Sequence, residues 1–105
     1  MDPTPPRERV TPGLAQVWGR NLPGIRDRVT VLERAASSLE RGDQPDRQDA
    51  ADAAHKLAGS LGSYGLTRGS EIARELEQRF APGGNLGEAA HVGRLVTELR
   101  LLIEG

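Results

Sequence analysis

The sequence predicts an all-α domain, an antiparallel four-helix bundle with a short additional helix at its N-terminus. Three observations carry this expectation. Apolar residues recur at spacings of three and four along most of the chain, the period of one helix face. No segment shows sustained period-two alternation, so strands are not expected. Proline and glycine fall between the periodic segments, where they punctuate helices.

The leading residues, MDPTPPRERV (1–10), are proline-rich and polar and read as a disordered tail or linker. The domain is expected over 11–105. Thr11-Pro12 offers an N-cap followed by proline at the first helical position, and Leu14, Val17 and Trp18 begin an apolar face. Trp18 reads as a core or bundle-end residue. Leu22-Pro23-Gly24 is expected to break this short helix, because proline removes a donor and restricts its predecessor. Ile25, Val29, Leu32, Ala36 and Leu39 then continue the stripe until Arg41-Gly42 ends it.

A helix follows from Gln44-Pro45, with Asp46 in an acidic first turn and Ala50, Ala54, Leu57, Ala58 and Leu61 on its apolar face, ending at Gly65. Thr67 is placed to cap the next helix, whose stripe is Gly69, Ile72, Ala73, Leu76 and Phe80. APGGN (81–85) is a loop, and Asn85 with Glu88 three residues on has the form of a capping box. The last helix buries Val92, Leu95, Val96, Leu99, Leu102 and Ile103.

The chain has 105 residues, which suits one domain with one modest core. With no cysteine it has neither a disulfide nor a thiolate metal site, which fits a cytoplasmic setting. Its net charge is −1 and its basic residues are dispersed, unlike the concentrated stripe of a nucleic-acid binder. One Trp, one Tyr and one Phe make poor material for base-stacking platforms. No apolar run approaches the roughly 20 residues that span a bilayer.

The chemistry concentrates in "AAHKLAGSLGSYGL" (53–66), where His55 and the only lysine, Lys56, stand beside Gly59, Gly62 and Gly65. Glycine inside a helix costs about 0.8–1 kcal/mol relative to alanine, so three of them ask for a reason. On a helical wheel His55 lies roughly 100° from the centre of the apolar stripe, at the flank of the core face. Gly59 is one turn later and Gly62 is close by, so the surface beyond His55 is bare. Side chains lean toward the helix N-terminus, and a bulky residue at 59 would lean over His55. The glycines therefore clear an approach to the imidazole. An exposed imidazole is a nucleophile at neutral pH, and Lys56 and Ser60 are near enough to help neutralise a phosphoryl group. A lone histidine without an acid partner makes no self-sufficient hydrolase, but it can accept and pass on a group activated elsewhere. Asp52, one turn earlier, is a candidate for orienting the ring. His91 has no supporting neighbours.

This stretch, followed by SEIARELE (70–77), resembles the histidine phosphotransfer (HPt) domain family. The matching positions are Ala54, His55, Leu57, Gly59, Ser60 and Gly65, with Ile72, Leu76 and Glu77 in the next helix. The family's commonest pattern has lysine three residues after the histidine. Here Ala58 stands there and Lys56 follows directly, as in a His-Lys-Leu-Ala-Gly-Ser variant of the family. The resemblance implies a helical bundle with His55 as phospho-acceptor, forming phosphohistidine on its way between receiver-domain aspartates or from a histidine kinase. Lys56, Gly59, Ser60 and Gly62 support it. It implies a response-regulator receiver domain or a histidine kinase as partner, with Mg²⁺ held by the receiver and no cofactor on this chain. Neither nucleic acid nor membrane is an expected partner. No glycine-rich nucleotide loop is present, so the chain is not expected to phosphorylate itself. The alternative is a helical interaction or dimerisation module, a degenerate relative that binds without transferring.

Overall fold

The computed structural model describes residues 12–104, with side-chain surroundings from residue 17 onward. The tail expected at 1–10 and the cap expected at Thr11 lie outside the described residues. Four helices follow one another: α1 (Pro12–Glu40), α2 (Arg47–Ser63), α3 (Thr67–Phe80) and α4 (Ala89–Glu104). No strand occurs among the described residues. Each helix packs on two neighbours, α1 on α2 and α4, and α3 on α2 and α4; in the diagonal pairs α1/α3 and α2/α4 the backbones stay further apart among the described residues. The helices thus form a ring around one core, with the α2/α3 pair its most extensive contact.

The break expected at Leu22-Pro23-Gly24 is absent, and the separate N-terminal helix with it: α1 runs through Pro23 as one helix of 29 residues. Pro23 is exposed, whereas Trp18, Leu22, Ile25, Val29 and Leu32 are buried in one unbroken stripe. The lost backbone bond falls on the solvent side, and burial on the other side holds the helix across it. Trp18 does sit in the core, with its ring edge-on to Tyr64 at 4.9 Å between centroids. Asn21 donates to the Tyr64 hydroxyl at 2.9 Å.

Both ends of α2 are closed by specific bonds. Asp46 is the N-cap rather than a first-turn residue, and its carboxylate accepts from the Asp49 amide at 3.0 Å. At the other end Gly65 takes φ +75° and donates to Gly62 at 3.1 Å, while Leu66 donates to Leu61 at 2.9 Å. This pair of bonds is a Schellman turn, and it needs the left-handed residue that glycine supplies. Because Leu66 is engaged there and buried, Thr67 becomes the first residue of α3 instead of its cap. The capping box expected at Asn85 and Glu88 does not form either. Asn85 Oδ1 accepts from Gly87, at φ +70°, and the Glu88 carbonyl opens α4 by accepting from His91 and Val92.

Arg47, the first residue of α2, reaches across to the end of α3. Its guanidinium donates to the carbonyls of Phe80, Arg79, Ala81 and Gly84 at 3.3, 2.9, 3.1 and 2.8 Å. These include the helix-end carbonyls that have no partner within α3. On the far side of the ring, Arg26 and Arg100 tie α1 to α4 through Glu104 and Glu33. Arg68 likewise ties α3 to α4 through Glu98.

Two outcomes follow. Arg47→Met removes a charged donor from four carbonyls, and a loss of about 2 kcal/mol is expected in urea unfolding; unchanged stability would contradict the latch. The second outcome concerns acid. The hydrogen bond from Arg26, then that from Arg100, holds Glu104 below the ordinary glutamate range. A carboxylate so depressed stabilises the fold above its unfolded pKa of about 4.3, and that contribution disappears as pH falls through the folded value. The gap in melting temperature between the wild type and Glu104→Gln should therefore be full at pH 6 and close toward pH 3. A gap independent of pH contradicts this.

Candidate functional site

The site lies where α2 and α3 approach most closely. A Cβ on Gly69 would meet Leu61 Cδ1 at 3.0 Å, and one on Gly62 would meet Ser70 Oγ at 3.4 Å. The Ser70 hydroxyl is buried in this seam and donates to the Ala58 carbonyl at 2.9 Å. Small residues let the helices close, and the hydroxyl satisfies itself across the gap. From Ser70 beside Ala58, α3 runs on to bring Glu77 beside His55.

His55 stands at the edge of this seam, with its side chain 74% exposed. Its Nδ1 lies 2.8 Å from Glu77 Oε2. A carboxylate only accepts, so Nδ1 carries the hydrogen and donates it. With the ring neutral, that leaves Nε2 as the unprotonated nitrogen, bearing a lone pair. Glu77 thus fixes both the ring's orientation and its tautomer. Asp52, weighed as the orienting group, instead accepts from the Gln48 amide at 3.1 Å.

The other candidates take different places. Gly59 is exposed, and a Cβ there would meet nothing within 4 Å. The surface one turn beyond the imidazole is open. Gly62 faces Ser70, so its missing side chain serves the helix seam. Ser60 is half-buried, and Ser63 donates to the Gly59 carbonyl at 3.0 Å. Lys56 is exposed and forms no ion pair or side-chain hydrogen bond among the described residues. Ala58, at the position of the family's usual lysine, is buried. His91 is half-buried and its Nε2 lies 3.4 Å from Glu75 Oε2. Arg79, and after it His91, holds that carboxylate below the ordinary glutamate range. No helix among the described residues is long and apolar enough to cross a membrane.

The direct role of Glu77 escapes a reading of the sequence. It stands 22 residues from His55, and no local spacing connects them. Only the register of α3 on α2 does. The arrangement provides an accessible nitrogen nucleophile with its second nitrogen tied to a carboxylate, on a surface open to solvent. Such a site suits a group presented by another macromolecule rather than a small molecule held in a pocket.

The tautomer is directly measurable. Two-dimensional ¹⁵N–¹H spectra of the neutral ring should show the Nδ1–H form of His55 in the wild type. Loss of that preference is expected in Glu77→Ala. An Nε2–H ring in the wild type would contradict the geometry.

Comparison with known proteins agrees with this geometry. The model of the Hpt domain matches residues 17–105. Protein RcaC of Microchaete diplosiphon is 38% identical over 66 residues, which cover 61% of this chain and 10% of RcaC. The chain therefore spans only a small part of the length of that relative. No solved structure matches it. With a family model covering nearly all of its described helices, the chain belongs to the Hpt domain family, whose role is phosphotransfer in two-component signalling.

Proposed function

We propose that His55 is the phospho-acceptor, relaying a phosphoryl group between receiver-domain aspartates, or from a histidine kinase to a receiver, through phosphohistidine. The observation that carries this reading is the bond from His55 Nδ1–H to Glu77 Oε2 at 2.8 Å, on a ring that is otherwise open to solvent.

In this reading Nε2 attacks the phosphorus of a phospho-aspartate held by the partner. The Nε2–P bond forms as the bond from phosphorus to the aspartyl oxygen breaks, and the carboxylate leaves on the receiver. The Nδ1 proton stays between His55 and Glu77, whose negative charge offsets the positive charge that the ring gains. Return transfer reverses the same bonds. The chain brings the nucleophile and its orientation. Mg²⁺ belongs to the receiver, and no cofactor of this chain enters. Gly59 leaves room for the receiver's surface against α2. The reading also takes the four helices as an antiparallel bundle joined by short connections, working in the cytoplasm.

The test is transfer from receiver domains charged with phosphate in the presence of Mg²⁺. Acid-labile, base-stable phosphate is expected on the wild type and none on His55→Gln. Glu77→Ala should transfer about tenfold more slowly, the equivalent of one charge-assisted hydrogen bond, with receiver binding retained. A folded wild type that binds receivers yet takes up no phosphate would instead make this a non-transferring interaction module.

A further inference from the structure

Phosphorylation of Nε2 places a group of nearly two negative charges on a ring whose other nitrogen already faces a carboxylate. Asp52 adds a third acidic group one turn earlier on α2, exposed to solvent. A phosphoryl group so placed is stabilised by a cation able to reach its oxygens.

Two exposed cations, Lys56 on α2 and Arg74 on α3, are candidates, and the fold separates them. Gly62, which faces Ser70 on α3, lies about 20° from His55 on the α2 wheel, so the His55 flank is the α3 side. Lys56 lies about 100° further round, away from α3. Arg74 is on α3 itself, four residues after Ser70 and three before Glu77, the spacing of one helix stripe. Ser70 meets Ala58 and Glu77 meets His55, so Arg74 falls between these two contacts, alongside the bare surface at Gly59.

The arginines of α3 are not equivalent. Arg68 is engaged with Glu98, and Arg79 with Glu75 and the Leu86 carbonyl. Arg74 is exposed and makes no side-chain hydrogen bond or ion pair among the described residues. It is the α3 guanidinium without a partner among the described residues, one turn from the residue that bonds the histidine.

We propose that Arg74 binds the phosphoryl group of phosphorylated His55, folding its guanidinium across Gly59 onto the phosphoryl oxygens and offsetting their repulsion by Glu77. This rests on His55 being the acceptor. A planar guanidinium meets two phosphoryl oxygens at once, which an ammonium does not.

The test needs no partner. Phosphoramidate, a small donor, is added to the chain, and ³¹P NMR follows formation of the Nε2–P bond as the donor's P–N bond breaks and ammonia leaves. Arg74→Gln should load roughly three- to fivefold more slowly, as suits a charge contact at an exposed site. The ³¹P titration midpoint of its phosphohistidine should move to higher pH, because the dianion loses its cation. Arg74→Lys should recover part of both effects, and Lys56→Gln should lose less than Arg74→Gln. Thermal unfolding of all three variants should match wild type, since neither side chain has a partner among the described residues. If Arg74→Gln loads and titrates like wild type, or Lys56→Gln takes the loss instead, the Arg74 assignment is overturned while His55 stands. If the wild type takes up no phosphate, or His55→Gln loads equally, the acceptor reading fails and Arg74 fails with it.

Discussion

The close seam between α2 and α3 is the constraint on which the site depends. Gly62 and Gly69 leave no side chain in it, and Ser70 crosses it to the Ala58 carbonyl. Helix surfaces packed this tightly have few registers available, because a shift of one residue would set a Cβ where glycine now stands. The register that results puts Glu77 opposite His55. Arg47 clamps the same pair of helices at one end, and the Schellman turn at Gly65 joins them at the other. The hydrogen bond of His55 to Glu77 is therefore the outer edge of a structural contact, held on both sides along the chain.

The ion pairs that tie α1, α3 and α4 together and the proposed site occupy different sides of the ring. The α1/α4 face is laced with ion pairs through Arg26, Arg100, Glu33 and Glu104, and Arg68 extends them to α3. On α2 and α3 the exposed cations Lys56 and Arg74 have no partner among the described residues, and the ion pair that joins these two helices there is His55 with Glu77. In the proposed function a receiver approaching there meets a histidine that is presented by one helix and oriented by the next. The flat, small-residue surface at Gly59 keeps that approach open.

Much of this was legible in the residue pattern, and most of what was not depends on how the helices meet. The stripes of Ile72, Leu76 and Phe80, or of Val92, Leu95 and Leu99, are local periodicities, and the helices that carry them bury those residues. The flank position of His55 followed from the same arithmetic. Pro23 misled because a proline's effect depends on which way it faces, and that is decided by the burial of Trp18, Leu22 and Ile25 against other helices. Asn85 misled because Gly87 closes a tight turn before the helix begins. The long-range bonds left no local trace. Arg47 reaches carbonyls more than thirty positions away, and Glu77 finds His55 only once two helices are in register.

The central claim is that Glu77 holds Nδ1 and so makes Nε2 of His55 the reacting atom. The most direct measurement is ³¹P–¹⁵N coupling in phosphorylated, ¹⁵N-histidine-labelled protein, which identifies the nitrogen bonded to phosphorus. The expected result is phosphate on Nε2 of His55, with Nδ1 still protonated and facing Glu77. Phosphate on Nδ1, or on His91, would contradict it.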